Sequence, residues 1–208
     1  MSLPYKDVLS QAIDQLAIAL DDAQVDQLLA YHAGLIKWNK AYNLTAVRDP
    51  MAMVQRHLID SLSILPFLPA GRLLDVGTGG GLPGIVVAIA RPDITVTLLD
   101  SNGKKIRFLR QMTMELGLKS VATIQSRVES YSAEPFDVIT SRAFATLADM
   151  VAWSRHLLAP DGQFIAMKGL YPDEELAALP ADIHVTSVRQ LQVPGADGQR
   201  HLVVLGAA

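Results

Sequence analysis

Cysteine is absent from all 208 residues, so the chain can form neither a disulfide nor a thiolate metal site. The absence also excludes any reaction that needs a cysteine nucleophile. No apolar run approaches the ~20 residues that cross a bilayer, and the polar N-terminal segment MSLPYKDVLSQAIDQ does not resemble a signal peptide. We therefore expect a cytoplasmic protein without a membrane or metal partner.

A large excess of charge of either sign is also missing. Lysine and arginine number 18 against 21 acidic residues, which gives a net charge of −3, so the overall balance does not indicate a nucleic-acid partner. Any surface that binds such a polyanion must be local. Half of the residues are hydrophobic and only 19% are charged. This composition can fill the core of one domain with a modest appendage, and we expect a monomer.

The first third of the chain has the periodicity of helices. Asp21 and Gln24 have the spacing of a capping box, and Asp49 before Pro50 is typical of an N-cap followed by proline at the first helical position. Apolar and small residues then recur at helical spacing. They are Val25, Leu28, Leu29, His32 and Ile36 in one segment, and Met53, Val54, His57, Leu58, Ser61, Leu62 and Leu65 in the next.

The segment LPFLPAG, residues 65–71, ends the helical pattern, so we predict a helical extension over residues 1–69 that packs on a main domain over residues 70–208. After this boundary, short apolar runs alternate with helical stretches, which predicts a doubly wound α/β sheet. The predicted strands are RLLDVG, ITVTLLD, VATIQS, FDVITS and QFIAMKG, and the predicted helices cover residues 82–91, 103–117 and 145–159.

A glycine-rich loop follows the first predicted strand. The segment LLDVGTGGGLPG contains the pattern G-x-G-x-x-G at Gly79, Gly81 and Gly84. Glycines let the backbone approach a ligand closely, and the next helix presents its positive N-terminus to that ligand. Asp100 ends the second strand at about the ~20-residue interval at which an acid binds ribose hydroxyls. This pattern alone fits either a dinucleotide or S-adenosylmethionine.

Two further features favour S-adenosylmethionine. Asp75 opens the loop, and its carboxylate would repel a pyrophosphate but suits the amino group and sulfonium of S-adenosylmethionine. The segments IHVTSVRQLQV and RHLVVLG, joined by a turn with Asp197 and Gly198, predict a terminal antiparallel hairpin. Such a hairpin is typical of class I S-adenosylmethionine-dependent methyltransferases. We therefore predict their Rossmann-like, doubly wound seven-stranded sheet, preceded by a helical extension.

The residues exclude some methyl acceptors but do not identify a single one. The lack of cysteine excludes carbon-5 of a pyrimidine, and Ser141-Arg142-Ala143-Phe144 lacks the prolines of loops that hold exocyclic amines. Lys168 could serve a ribose hydroxyl but has no convincing partners in sequence. N7 of guanine already has a free lone pair, so it needs placement rather than a base. A small metabolite remains an alternative acceptor.

Five segments carry a more specific resemblance, which runs from about Trp38 to Lys168. WNKAYNLTAVRDP, RHLIDSLSILPFLP, LLDVGTGGGLPGI, VTLLDSNGKKIRFL and SRAFATL together resemble the small-subunit ribosomal RNA methyltransferase G family, also called glucose-inhibited division protein B. The resemblance implies formation of N7-methylguanosine at guanine 527 of 16S rRNA, in the 530 loop near the decoding site. It also implies the small ribosomal subunit or its RNA as partner.

The resemblance further implies a set of cofactor contacts, and the chemistry of N7, which has no proton to lose, leads us to expect no catalytic base. Gly77 and Leu82 would contact S-adenosylmethionine from the first loop, and Arg142 would close the site after the fourth strand. Gly80 is a departure, because many relatives have alanine or proline there. The complete predicted cofactor set is Gly77, Gly79, Leu82, Asp100, Val128, Glu129 and Arg142.

Candidate RNA contacts each have a structural alternative. A basic cluster, Lys104, Lys105, Arg107 and Arg110, opens the helix after the second strand and could bind phosphates or form an ordinary solvated face. Phe144 could stack on a splayed guanine or pack in the core. His57 and Asp60 are three residues apart, which favours a structural polar pair over a catalytic dyad.

Overall fold

The computed structural model describes residues 3–207, so residues 1, 2 and 208 of the predicted ranges lie outside the described part. Seven strands form one sheet in the order β3-β2-β1-β4-β5-β7-β6. All neighbours are parallel except that β7 is antiparallel to β5 and β6. The strands are β1 Gly71–Val76, β2 Ile94–Asp100, β3 Val121–Gln125, β4 Phe136–Arg142, β5 Leu158–Lys168, β6 Ile183–Gln190 and β7 His201–Ala207. The predicted α/β sheet with its terminal antiparallel hairpin is confirmed.

Helices cover both faces of this sheet. The N-terminal ones are α1 Leu3–Gln15, α2 Asp22–Tyr42, α3 Pro50–Met53, a π-helix Val54–Ile59, α4 Asp60–Leu62 and a 3₁₀ turn Leu65–Phe67. The later ones are α5 Gly84–Ala90, α6 Gly103–Glu115, α7 Leu147–Ser154 and α8 Asp173–Ala177, with 3₁₀ turns at Val128–Ser130 and Arg155–Leu157. No helix within residues 3–207 is long and apolar enough to span a membrane.

The predicted helix over 145–159 is shorter in the structure. It begins at Leu147, where the side chain of Thr146 accepts a hydrogen bond from the backbone of Asp149. It gives way to a 3₁₀ turn, and β5 already starts at Leu158, which pairs with Phe136 of β4. Strand pairing with β4 therefore overrides the helical spacing that continues to residue 159.

Helix α2 packs over the glycine loop and against the end of α5. The capping box of Asp21 and Gln24 is present as predicted. The Gln24 side chain also donates to the carbonyl of Ile89 at the end of α5, over 2.9 Å. The buried Tyr31 hydroxyl donates to the carbonyl of Gly80 over 2.6 Å. The extension thus shares one hydrophobic cluster with the sheet and fixes the loop after β1.

The helical segment that starts at Pro50 is interrupted by a π-helix. Asp49 caps it as predicted, because its carboxylate accepts the backbone N–H of Ala52 over 2.7 Å. The π-helix Val54–Ile59 then places one extra residue in the turn. Both His57 and Asp60 are buried, and their side chains reach β4 rather than each other. Irregular turns of this kind occur frequently at functional sites.

Candidate active site

The loop after β1 is compact because three glycines adopt left-handed backbone conformations. Gly77, Gly79 and Gly81 have φ angles of 64°, 59° and 94°, a region that other residues enter only with strain. The carbonyl of Thr78 accepts the N–H groups of Gly81 and Leu82, over 2.9 and 3.1 Å. The loop therefore turns directly into the N-terminus of α5.

Asp75 lies completely buried beneath this loop. Its Oδ2 accepts hydrogen bonds from the Thr78 hydroxyl over 2.6 Å and from the Gly84 N–H over 2.8 Å. Its Oδ1 is buried and has no hydrogen-bond partner among the described residues. Burial raises the pKa of Asp75 to about 7, against the lowering effect of these two hydrogen bonds. Asp75 therefore holds the loop onto β1, and because it does not line either of the cavities described below, its contact with the ammonium group of S-adenosylmethionine stays a prediction.

A first cavity of about 440 Å³ opens at the carboxyl ends of β1, β2 and β4. Asp100 is held on its wall, because Oδ2 accepts the Gly79 N–H over 3.0 Å and Oδ1 accepts the Asn102 N–H over 2.8 Å. The ammonium group of Lys105 lies 3.6 Å from the same Oδ2. A carboxylate oriented in this way could accept hydrogen bonds from ribose hydroxyls.

The rest of the first cavity combines apolar walls with few polar groups. Val76, Leu99 and Val128 supply apolar surface, and Glu129 lies beside Val128 in the 3₁₀ turn after β3. This combination suits an adenine ring. Of the predicted cofactor residues, four line this first cavity: Gly77, Asp100, Val128 and Glu129.

A second cavity of about 370 Å³ adjoins the first. The two cavities share Gly77, Lys105 and Ala143 as lining residues. The other predicted cofactor residues, Gly79, Leu82 and Arg142, line the second cavity. Four cationic side chains, Lys105, Arg56, Arg142 and Arg200, line this cavity and form a cationic wall, and they pair with three carboxylates, Asp100, Asp197 and Asp60. The two cavities together form a continuous site.

Arg142, at the end of β4, is the centre of a hydrogen-bond network in the second cavity. One terminal nitrogen donates to the Arg56 carbonyl over 2.8 Å and to Asp60 Oδ2 over 3.2 Å. The other donates to Nδ1 of His57 over 3.2 Å. Asp60 Oδ1 accepts from Nε of Arg200 over 2.9 Å. Asp60 thus joins two arginines and connects the helical extension to β4 and to the start of β7.

The protonation of His57 follows from these contacts. A guanidinium can only donate, so Nδ1 of His57 is the acceptor of the Arg142 bond and its ring proton sits on Nε2. That nitrogen lies 2.7 Å from Thr45 Oγ1. Burial, with the nearby Arg142 charge, lowers the pKa of His57 to about 4, so the ring is neutral at pH 7. His57 and Asp60 do not form the polar pair that their spacing favours, because both bind Arg142 instead.

The predicted RNA-contact residues lie in two different places. Lys104, Arg107 and Arg110 are exposed on α6, whereas Lys105 is half-buried and faces the cavities. Phe144 lines the first cavity, and its ring covers Gly77 so closely that a Cβ built on that glycine would overlap it.

Lys168, the residue that could have served a ribose hydroxyl, is occupied elsewhere. Its ammonium lies 2.7 Å from Glu175 Oε2 and 3.1 Å from the Ala145 carbonyl.

Thr45 and Arg200 are polar residues of the second cavity that were not predicted as site residues. Thr45 stands in the segment WNKAYNLTAVRDP, where only the resemblance drew attention to it. Arg200 follows the hairpin turn and carries no local signal at all. It reaches Asp60 only because β7 lies inside the sheet, next to β5.

The fold, the glycine loop and the acid at the end of β2 define a class I S-adenosylmethionine-dependent methyltransferase. Among similar solved structures are the glycopeptide N-methyltransferase MtfA in complex with S-adenosylmethionine (TM-score 0.64, 12% identity, 73% of this chain and 87% of that one) and the mitomycin 7-O-methyltransferase MmcR (TM-score 0.62, 18% identity, 76% and 56%). At these identities the likeness shows the fold alone.

The sequence comparisons define the family. Residues 24–203 match the family described as rRNA small subunit methyltransferase G. Relatives called ribosomal RNA small subunit methyltransferase G are 56% identical in Pseudomonas aeruginosa strain LESB58 (97% of this chain, 95% of the relative) and 57% identical in Pseudomonas syringae pv. syringae strain B728a (95% and 92%). This chain belongs to the rRNA small subunit methyltransferase G family, which confirms the predicted family and its cofactor, S-adenosylmethionine.

Proposed function

We propose that this protein methylates 16S rRNA of the small ribosomal subunit, and that the acceptor is N7 of guanine 527 in the 530 loop. Family membership supports small-subunit rRNA as the substrate. The family resemblance implies N7 of guanine 527, and one observation supports that atom: among the described residues that line the second cavity, both possible bases, His57 and Asp60, are bound by arginines. Ribosomal particles lie in the cytoplasm, where we propose that the enzyme acts, as a monomer.

The two side chains of the second cavity that could act as a base, Asp60 and His57, both form hydrogen bonds with arginines. Asp60 is bound by two arginines. His57 is neutral, and its only acceptor nitrogen is taken by Arg142. An acceptor that must lose a proton, such as a hydroxyl, would find no base here. N7 of guanine has no proton to lose, so the site need only align it with the methyl donor.

The protein's contribution is therefore placement and charge. When bound, S-adenosylmethionine supplies an electrophilic methyl group on a sulfonium. Asp100 would hold the ribose, Val128 and Glu129 would frame the adenine, and Gly77 and Leu82 would contact the ligand from the loop. Such alignment can contribute ~7–11 kcal/mol to catalysis, which is enough for an acceptor that is already nucleophilic.

The cationic wall supports a polyanionic substrate rather than a small neutral metabolite. Arg56 and Arg200 line the second cavity, and Lys104, Arg107 and Arg110 are exposed on α6, the helix that also carries Lys105 of that cavity. Phosphates of a folded rRNA loop could bind such a surface. Phe144 could leave Gly77 to stack on the target base.

The experiment is mass mapping of 16S rRNA from cells with and without the gene. We expect a single methyl group at N7 of guanine 527 to disappear with the gene and to return when purified protein and S-adenosylmethionine are added to unmodified small subunits. Loss of a methyl group at another atom or nucleotide would overturn the N7 assignment. Unchanged 16S rRNA would favour the small-metabolite alternative.

Charge reversal on α6 tests the RNA surface. Lys104→Glu and Arg107→Glu are expected to weaken binding to small subunits and to reduce the salt slope by about 0.7–0.9 for each phosphate that is no longer neutralised. Affinity for S-adenosylmethionine should hardly change, because both side chains are exposed outside the cavities. Filter binding at several salt concentrations measures the slope.

Lys119→Glu is the matched control for this surface. Lys119 is exposed just before β3, at the amino end of that strand, whereas the cavities lie at the carboxyl ends of the strands. It undergoes the same change of charge without touching the proposed surface. If all three variants weaken binding equally, the effect reflects net charge alone, and α6 is only a solvated face.

A further inference from the structure

Thr45 is fixed in the loop between α2 and α3, at the wall of the second cavity. Its backbone N–H donates to the side-chain oxygen of the buried Asn39 over 3.0 Å. The amide nitrogen of Asn39 donates to the carbonyl of Val47 over 3.3 Å. One buried side chain therefore spans the loop on both sides of Thr45, so that the position of its hydroxyl is set by the backbone.

The hydroxyl of Thr45 has both of its acceptor sites filled. A hydroxyl has two lone pairs and one proton. Thr45 Oγ1 accepts from the Val47 N–H over 3.1 Å and, over 2.7 Å, from Nε2 of His57, the nitrogen that carries the ring proton. No side chain or carbonyl within residues 3–207 accepts the hydroxyl's own proton. The only bond left for Thr45 to form is one in which it donates.

Arg142 fixes the direction of this chain of hydrogen bonds. Its guanidinium donates to Nδ1 of His57, which forces His57 to donate to Thr45. Thr45, which lines the second cavity, is therefore left as a donor. A hydroxyl without this constraint could rotate and either give or receive a hydrogen bond. The network leaves the hydroxyl only the role of donor. Such a group binds a ligand that presents an acceptor and disfavours one that presents a donor.

We propose that Thr45 donates its hydroxyl proton to O6 of the target guanine and thereby selects guanine over adenine. This inference rests on the proposed function. The edge of guanine that carries N7 has one other polar atom, the acceptor O6, whereas adenine presents an amino donor at that place. N7 must stay free for the methyl group, so a donor that faces this edge of the base can serve only O6. An adenine would bring its amino group against a hydroxyl that cannot accept.

A cycle of enzyme and substrate changes tests this contact. The enzymes are the wild type, Thr45→Val and Thr45→Ser. The substrates are small subunits reconstituted with 16S rRNA that carries guanine, 2-aminopurine or hypoxanthine at the target position. 2-Aminopurine keeps N7 but lacks O6, and hypoxanthine keeps O6 but lacks the 2-amino group. We measure kcat/KM for each pair.

The wild type is expected to lose about 10- to 100-fold on 2-aminopurine, as for one buried hydrogen bond left unmade. Thr45→Val should lose a similar factor on guanine and nothing further on 2-aminopurine, whereas Thr45→Ser should keep the wild-type discrimination. Hypoxanthine should be treated like guanine by all three enzymes. The substrates differ in the intrinsic reactivity of N7. This difference cancels, because the ratio of kcat/KM between two substrates is compared from one enzyme to the next.

An additive result, with the same 2-aminopurine penalty in wild type and Thr45→Val, would overturn the inference. Thermal unfolding identifies any general loss of stability. Such a loss would lower kcat/KM on all substrates by the same factor and leave the ratios between substrates unchanged. Failure of the wild type to methylate even the guanine substrate would instead refute the proposed function itself. The two failures are therefore distinguishable.

Discussion

Gly77→Val is expected to abolish binding of S-adenosylmethionine, with a loss of at least ~100-fold in affinity, or about 2.7 kcal/mol. Gly77 has a φ of 64° and lines both cavities. A Cβ at this position would overlap the Phe144 ring, so a valine must displace that ring or fill the space where the ligand approaches the backbone. Titration calorimetry measures the affinity.

Gly117→Val separates backbone strain from obstruction of the site. Gly117 has a φ of 65°, but a Cβ added there has nothing within 4 Å. Both variants carry the cost of a side chain in the left-handed region, ~1–2 kcal/mol, so both should unfold more readily in denaturant. Only Gly77→Val should lose the ligand. Equal affinities for the two variants would remove Gly77 from the cofactor site.

The parts of the fold that the sequence predicted are those with strong local signals. Four of the five parallel strands, β1, β2, β4 and β5, contain buried apolar runs, as expected where helices cover both faces, whereas β3 at the edge of the sheet has no buried residue. The glycine loop lies between β1 and α5 as predicted. The terminal hairpin was readable from alternating strands and from Asp197-Gly198. Each of these features is encoded by residues that are close in the chain, so local pattern and global fold agree.

Helical phase also predicts the side of α6 on which each basic residue lies, so the four basic residues do not form one surface. The buried residues of α6 include Phe108, Leu109 and Met112. Lys105 precedes them by three, four and seven positions, so it lies on the inward face. Lys104 is one position out of phase and is exposed. Helical phase thus explains why only Lys105 meets Asp100.

The centre of the second cavity could not be predicted, because its contacts are long-range. Arg200 and Asp60 are separated by 140 residues, and Arg142 and His57 by 85. The π-helix that positions His57 and Asp60 depends on packing, since apolar spacing is equally compatible with a regular helix. The sequence contained these residue types, but only the folded chain shows that three elements meet at Arg142.

Arg142→Leu is expected to lower the single-turnover rate of methyl transfer by about 100-fold, the loss that a misplacement of ~1 Å can cause. The substitution leaves Asp60 with one arginine instead of two and releases Nδ1 of His57. Both changes loosen the wall that faces the acceptor. Stability should also fall, because a buried carboxylate loses one of its two partners.

Arg155→Leu provides the control. Arg155 forms an exposed ion pair with Asp182, over 2.6 Å, and surface pairs contribute at most ~1 kcal/mol. We expect it to keep both its rate and its stability. If Arg142→Leu transfers the methyl group as fast as Arg155→Leu, the network around Arg142 has no role in the reaction.

The pH profile of the wild type tests whether Arg142 orients the site or assists a base. With S-adenosylmethionine and small subunits prebound at saturation, the rate should be flat from about pH 6.5 to about 8.5, whereas a general base titrating there would change it by up to ~10-fold per pH unit. His57, with a pKa of about 4, stays neutral throughout.

Asp75 has a pKa of about 7 but lines neither cavity. Its titration can therefore change only the affinity for the cofactor, through the loop that it holds, and saturation with the cofactor removes that effect. A sloping profile that disappears in His57→Gln would show that the acceptor must lose a proton and is not N7.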